Sequence, residues 1–262
     1  MKYLFLISLF ISVLGFAQEK IETVVDKPAV AIGGQDDVER IFNNQVIYPE
    51  NALKRNVSQE VTVYFVVKAD GTVTQPEFKK EVDTDLKNET LRLLRFIEFK
   101  PAYIANVAVA SQSFLTFKFS PSSYKKIVKK RGFDKPKDAS LIDTSMQVYT
   151  RVDAVPEYYQ GEDAFKEYLM TNLEYPDIAI RQNIQGVVML SFVVETNGTI
   201  SNLVAEKEFN HFCTSEAIRV MRDTKWKPAQ KDKKLVRYRT KYPIVFNLKN
   251  INKNNANGEQ RY

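Results

Sequence analysis

The chain offers few side chains of the kinds that catalyse reactions or bind metals. Among its 262 residues there is one histidine, His211, and one cysteine, Cys213. Two ligands are half of what a structural zinc site needs, and a single histidine leaves no Ser-His-Asp or Cys-His set. The 32 acidic residues leave a carboxylate pair open as an alternative. We therefore expect no enzyme, no catalytic or metal-binding residue and no cofactor, and the single cysteine excludes an internal disulfide.

Basic residues are concentrated in one stretch of the chain. The net charge is +6, and residues 120–150 include seven Lys or Arg and three Asp. The remainder is close to neutral, which is untypical of a domain that binds nucleic acid through a folded basic face. We interpret 121–150 as a basic linker. Its lysines at 125–137 are either solvated or placed to touch anionic lipid headgroups and other acidic surfaces.

The N-terminus has the three parts of a secretory signal. Lys2 precedes an apolar run from Tyr3 to Phe16, and Gly15 and Ala17 supply the small residues of a cleavage site. The run has 14 residues, whereas a helix needs about 20 to span a bilayer, so a retained membrane anchor is the weaker alternative. We predict a cleaved signal peptide over 1–17 and a periplasmic mature protein.

The sequence repeats itself at a constant offset of 127 residues. The matched segments, early to late in each copy, are Tyr48-Pro49 with Tyr175-Pro176, Phe65-Val66-Val67 with Phe192-Val193-Val194, Gly71-Thr72 with Gly198-Thr199, and Phe99-Lys100-Pro101-Ala102 with Trp226-Lys227-Pro228-Ala229. A constant offset over about a hundred residues indicates a duplication. It predicts one domain at 24–120, a second at 151–248 and a polar tail over 249–262 that we expect to be disordered.

Each unit shows the same order of elements. In the second unit, a helical spacing over 164–173 precedes a strand in which residues 188–194 alternate, and Asn197-Gly198 marks a hairpin turn. The pattern continues with a strand over 200–206, a helix over 215–223 and a strand over 236–248. The expected fold class is α+β, with two tandem domains of α-β-β-α-β order and a three-stranded antiparallel sheet packed against helices.

The duplication also bears on two single residues. Cys213 falls opposite Leu86 of the first copy, which favours a small buried apolar role. Trp226 falls opposite Phe99, so a core aromatic at a helix end is favoured over a residue that stacks on a partner.

The second unit resembles the C-terminal domain of TonB. The residues that carry the resemblance are Tyr175-Pro176, Ala179, Gly186, Val188, Phe192-Val193-Val194, Asn197-Gly198, Ala217-Ile218, Arg219, Trp226, Pro228 and Pro243-Ile244-Val245-Phe246. The first unit resembles the same domain in a more degraded form. The resemblance implies energy transfer from an inner-membrane motor to outer-membrane receptors, whose extended segment is gripped as a strand added to the sheet edge.

The resemblance implies two stretches of partner-binding residues, one before the Tyr-Pro pair and one on the last strand. They are Asn172, Leu173, Glu174, Tyr175, Val236, Arg237, Tyr238, Arg239, Thr240, Lys241 and Tyr242. Arg237, Arg239 and Lys241 alternate onto one face, where they either read acidic partner residues or block edge-to-edge aggregation. Pro243 limits further pairing because it has no N–H to donate.

Two features depart from a full energy transducer. The apolar N-terminal run is too short for an inner-membrane helix, and the ten prolines form no long spacer. A soluble periplasmic adaptor, or a competitor for receptor segments, fits the residues better. The leading hypothesis is a TonB-like protein that binds extended segments of outer-membrane TonB-dependent receptors in energy-coupled transmembrane transport. The alternative is a cell-envelope assembly or scaffold protein that uses the same sheet edges for self- or hetero-association.

Overall fold

The computed structural model of the protein describes residues 20–132, 139–207 and 209–250. The helices are α1 (Gly34–Gln45), α2 (Glu50–Lys54), α3 (Thr84–Leu94), α4 (Pro121–Arg131), α5 (Glu162–Asn172), α6 (Asp177–Arg181) and α7 (His211–Arg222). The strands are β1 (Ile21–Glu22), β2 (Val30–Ala31), β3 (Gln59–Val67), β4 (Val73–Glu77), β5 (Phe99–Lys100), β6 (Ala102–Ile104), β7 (Val107–Phe119), β8 (Val148–Tyr149), β9 (Glu157–Tyr158), β10 (Gly186–Val194), β11 (Ile200–Ala205), β12 (Trp226–Lys227), β13 (Ala229–Lys231) and β14 (Lys234–Phe246). Short 3-10 turns lie at Ala139–Leu141 and Leu248–Asn250.

Each unit contains the three antiparallel strands that the sequence predicts. Their order is β4-β3-β7 in the first unit and β11-β10-β14 in the second. Gln59 pairs with Phe119 and, 127 residues later, Gly186 pairs with Phe246, so the register repeats as well. One helix of each unit, α3 or α7, packs on the sheet.

The core of each unit lies between the sheet and its helices, because alternate strand residues are apolar. In β10, Val188, Leu190, Phe192 and Val194 are all buried. The ring of Trp226 lies 5.5 Å from that of Phe192, between ring centroids, and is itself buried. Trp226 is therefore confirmed as a core aromatic.

Helix α7 begins earlier than predicted. The sequence pattern predicts a helix over 215–223, whereas α7 begins at His211. The side chain of Asn210 accepts hydrogen bonds from the backbone N–H groups of Phe212 and Cys213 at 3.1 and 3.2 Å. An Asn in this position satisfies N–H groups that have no partner inside the helix, so the helix extends back to it.

The hairpin between β10 and β11 requires a glycine. Gly198 has a φ of 76°, and its N–H donates to the carbonyl of Glu195 at 2.9 Å. A Cβ on Gly198 would lie 2.2 Å from the carbonyl oxygen of Trp226, so both the conformation and the space exclude a side chain. The Asn-Gly pair thus predicted the turn correctly.

Short strands extend each sheet beyond the three that were predicted. β13 pairs antiparallel with the start of β14, and β8 lies parallel to β14. β6 and β1 are placed on β7 in the same way. Each sheet therefore has five strands, one of them a parallel strand contributed by the chain that precedes the unit.

The basic stretch after the first unit includes ordered elements. α4 begins after Ser120, whose side chain accepts a hydrogen bond from the N–H of Ser123. Tyr124 on α4 is buried, and its ring centroid lies 5.3 Å from that of Tyr48. The stretch that we interpreted as a linker, 121–150, thus contributes a helix to the first unit and β8 to the second sheet.

The first unit docks on the second through a buried polar network centred on Asn202 of β11. The backbone N–H of Asn202 donates to Asp37 at 2.8 Å, and its side-chain amide donates to the carbonyl of Phe96 at 2.9 Å. Its amide oxygen accepts from the N–H of Glu98 at 2.9 Å. Asn202 is fully buried, so these bonds fix the two units against each other.

Two sequence predictions fall outside the described residues: the signal peptide over 1–17 and the part of the polar tail beyond Asn250. Along the described ranges, no helix combines the length and apolar character needed to cross a bilayer.

Candidate partner-binding edge

One side of β14 is paired within the second unit along almost its whole length. β10 pairs antiparallel with residues 238–246, and β13 with residues 234–236. This side is the interior of the sheet, and it has no room for a further strand.

The opposite, outer side of β14 is paired only at its start. Ile142 forms a parallel bridge to Leu235, and β8 pairs in parallel with Arg237 and Tyr238. Within the residues that the structure describes, no strand pairs with the outer side of Arg239–Phe246. An unpaired stretch of this length can accept an added strand. We call Arg239–Phe246 the free edge.

The free edge differs from the one expected from the sequence. We expected an open edge over 236–242, but Val236, Arg237 and Tyr238 lie behind the segment that ends in β8. The outer side of β14 at these residues is already covered by the preceding segment of the same chain. The open stretch therefore starts at Arg239 and continues past Pro243.

The odd-numbered residues of β14 direct their backbone groups to the outer side. The carbonyl of Leu235 accepts a hydrogen bond at 2.9 Å from the N–H of Asp143, which lies in the segment 142–149 that runs along the outer side of β14. Backbone groups alternate between the two sides of a strand, so Arg239 and Lys241 point the same way as Leu235. Pro243 is also at an odd position, where its missing N–H removes no bond to β10.

Arg237 is buried where the two units meet. Its guanidinium donates from Nε and Nη2 to the two carboxylate oxygens of Glu195 at 2.8 and 2.9 Å. It also donates to the backbone carbonyls of Arg95 and Met146 at 3.1 and 3.0 Å. The side chains of Arg237 and Glu195 are 4% and 0% exposed. The expectation that Arg237 contacts a partner is thereby corrected, since it holds the units together instead.

Arg239 and Lys241 form more exposed ion pairs. Arg239 pairs with Glu98 of the first unit, and Lys241 pairs with Glu206 at 2.5 Å. Pairs of this kind contribute about 0–1 kcal/mol. A carboxylate on a bound segment would therefore compete with Glu206 or Glu98 at little cost.

The segment before the Tyr-Pro motif ends beside the last residue of the free edge. The rings of Tyr175 and Phe246 meet edge to face, with centroids 5.4 Å apart, and the Tyr175 hydroxyl donates to the carbonyl of Ile184 at 2.6 Å. Tyr242 packs inward on Phe165, with ring centroids 4.9 Å apart. Burial raises the pKa of both Tyr175 and Tyr242, so both phenols stay neutral.

The rest of that segment is anchored on α7. The N–H of Glu174 donates to the carboxylate of Glu216, and the carbonyl of Asn172 accepts from Arg219, both at 2.6 Å. Leu173 packs against the core, whereas the side chains of Asn172 and Glu174 are exposed. The structure thus places Tyr175 at one end of the free edge. The side chains of Asn172 and Glu174, which precede it in the chain, are exposed to solvent.

His211 and Cys213 lie in the first turn of α7. Cys213 is fully buried, and burial raises the pKa of its thiol, so it is protonated and not a nucleophile. Across the described part of the chain, no three His, Cys, Asp or Glu side chains are grouped as a metal site requires.

Sequence reasoning missed the residues that join the units. Glu195 comes directly after β10 and Asn202 lies on β11, where a polar residue in a buried contact gives the same sequence pattern as a solvated one. The sequence signal that could have found the ion pair is the difference between the two repeat units at these positions. Glu195 and Arg237 correspond to Lys68 and Ala110, so the ion pair exists in one copy only.

These observations define a class of protein: tandem α+β units in which, among the described residues, part of the outer edge of the last strand is unpaired. A family model of the C-terminal region of the Gram-negative bacterial TonB protein matches residues 44–121 and again 171–248. The two matches cover more than half of the chain, which therefore belongs to the TonB C-terminal family. Domains of this family are periplasmic and non-enzymatic, and they interact with outer-membrane TonB-dependent receptors in receptor-coupled transport. A comparison with curated proteins found no match.

Proposed function

We propose that this protein is a periplasmic TonB-like protein that binds an extended segment of an outer-membrane TonB-dependent receptor in energy-coupled transport. The segment adds as a strand to the free edge of β14. The observation that carries the proposal is this edge itself, which is unpaired over Arg239–Phe246 within the described residues. Membership of the family supports the choice of receptor.

The chemistry of the edge indicates how a segment is recognised. Main-chain hydrogen bonds to the odd-numbered residues supply affinity that does not depend on sequence. Lys241 and Arg239 favour an acidic side chain on the segment, and Tyr175 lies at the end of the strand. Asn172, Leu173, Glu174 and Thr240 complete the proposed contact surface.

The test compares two substitutions at one position in the full chain. Lys241→Pro removes an outward N–H, whereas Lys241→Ala removes only the side chain and its ion pair with Glu206. Each variant is titrated calorimetrically with N-terminal peptides from TonB-dependent receptors. We expect Lys241→Ala to bind within about twofold of the unchanged protein. Lys241→Pro should bind about 2- to 12-fold more weakly, because one main-chain bond is lost.

Equal affinities for the two variants would show that main-chain pairing at this edge does not contribute. The native Pro243 shows that a proline at an odd position is compatible with pairing to β10. A thermal melt of each variant confirms that the fold is retained.

A second candidate function is envelope assembly, in which chains join edge to edge. It is favoured by one observation: the outer side of β7 beyond Ser111 is also unpaired within the described residues, and Phe114 on this stretch is 61% exposed. Sedimentation velocity over a concentration series separates the two functions. A strict monomer at high concentration would eliminate assembly through self-association.

A further inference from the structure

A cleft of about 720 Å³ opens where the two units meet. The first unit contributes residues of α1 and α4 to its walls. The second unit contributes the start of β11 and the residues that follow α7. This volume falls in the range of small-molecule sites, which run from about 300 to 1,000 Å³. The cleft is separate from the free edge, since no residue of β14 lines it.

Positive charge predominates in the cleft. The basic side chains that line it are Arg40, Lys126, Lys130, Arg131, Arg222 and Lys225. The acidic ones are Asp36, Glu39 and Asp223. Because basic side chains outnumber acidic ones two to one, the cleft favours an anion.

Two lysines of α4 face the cleft from one side of their helix. Lys126 and Lys130 are four residues apart, so they lie on the same helical face. Lys125 and Lys129 are also four apart but do not line the cleft. Within the described residues, neither Lys126 nor Lys130 forms an ion pair.

Arg40 gives the cleft a largely buried positive charge. Its side chain is 10% exposed, and its guanidinium pairs with Asp37 and donates to the carbonyl of Ile200 across the junction. Its Nε has no hydrogen-bond partner among the described residues. This Nε is shielded from solvent, so a ligand in the cleft would meet the positive charge of the guanidinium and not this N–H.

Lys225 stands on the opposite wall. Burial and, next, the charge of Arg40 lower the pKa of its amine. A nearby anion would oppose both effects by stabilising the charged amine. Arg40 and Lys225 belong to different units, so a ligand between them would bridge the junction.

We propose that this cleft binds a phosphate-bearing anion with at least two negative charges, a phosphomonoester or a diphosphate, free or on a lipid headgroup. The amines of Lys126, Lys130 and Lys225 favour a ligand with several acceptor oxygens and more than one negative charge, which a phosphate provides and a single carboxylate does not. The volume leaves space for the group that carries the phosphate.

The experiment is a calorimetric titration of the full chain with sodium pyrophosphate. The test variant is Lys126→Ala with Lys130→Ala. The matched control, Lys125→Ala with Lys129→Ala, removes the same charge from the same helix outside the cleft. Saturable binding that falls about tenfold or more in the test variant, and less than about twofold in the control, is the expected result. Lys225→Gln serves as a second test variant on the opposite wall and should weaken binding in the same direction.

A second arm distinguishes the source of the phosphate. Each protein is sedimented with phosphatidylcholine vesicles that contain phosphatidic acid. Vesicle binding that is lost only in the test variant assigns the site to a lipid headgroup, whereas pyrophosphate binding alone assigns it to a soluble ligand. Absence of both, or an equal loss in test and control variants, would overturn the proposal. Lys241→Pro should retain pyrophosphate binding, so a failure of strand addition is distinguishable from a failure here.

Discussion

Asn202 and Gln75 occupy the same position in the two units and share a backbone conformation that side chains rarely adopt. Their φ angles are 52° and 53°, in the left-handed region. Asn202 is fully buried and bonded to the first unit, whereas Gln75 is exposed. The duplication therefore provides the same position in two environments. Comparing the two separates the free-energy cost of the left-handed backbone from the contribution of the interface hydrogen bonds.

We predict that Asn202→Ala destabilises the protein by about 2–4 kcal/mol, because the N–H of Glu98 and the carbonyl of Phe96 lose their partners inside the interface. Gln75→Ala should change the free energy of unfolding by less than about 0.5 kcal/mol. Urea denaturation of both variants measures the difference. Similar losses at the two positions would assign the effect to the backbone and not to the interface.

At the scale of elements, β1 and β8 show that each sheet is lengthened by the chain that precedes its unit. Both are parallel strands of two residues, and Ile21 and Val148 are 127 residues apart. Because β8 covers Arg237 and Tyr238, it competes for the outer side of the strand that we propose for receptor binding. An attached strand has a high effective concentration, so it limits what an added segment can reach.

Tyr149→Pro tests this competition. The N–H of Tyr149 faces the outward carbonyl of Arg237, so a proline there weakens the pairing of β8 and should expose more of the outer side of β14. For peptides long enough to extend past Arg239, we expect an affinity gain of about 2- to 12-fold, the equivalent of one net hydrogen bond. Glu22→Pro makes the same change in the first unit and should leave the affinity unchanged. A gain in neither variant, measured by calorimetry, would mean that β8 does not compete.

The secondary-structure elements show which parts of the fold can be predicted from the sequence. The strands, the Asn-Gly turn and the core position of Trp226 follow from local patterns, since alternation and turn chemistry act over a few residues. β8 could not be predicted, because two residues carry no periodicity. The pairing of Arg237 with Glu195 was also missed, because a polar residue on a strand has the same pattern whether it faces water or another domain.

At the scale of the whole molecule, the two units are joined by polar contacts that bury charge. The Arg237–Glu195 pair and the Asn202 network are formed by residues with different counterparts in the other copy. The arrangement is therefore specific to one order of the units and is not a simple stack of repeats. A single unit released from the chain would present a buried ion pair to water.

The chain has a single tryptophan, which lies in the second unit, so the coupling between the unfolding of the two units can be measured. Trp226 reports on the second unit, while far-ultraviolet circular dichroism reports on both. We predict that the two signals coincide during urea unfolding of the full chain, because the interface makes the units unfold together. Arg237→Met leaves the buried carboxylate of Glu195 with the hydroxyl of Ser201 but without a compensating charge, at a cost of about 3–5 kcal/mol, and should separate the signals. Arg239→Met, which removes a partly exposed pair, should leave them coincident. Separate transitions in the unchanged protein would show that the units fold independently and that the polar interface does not couple them.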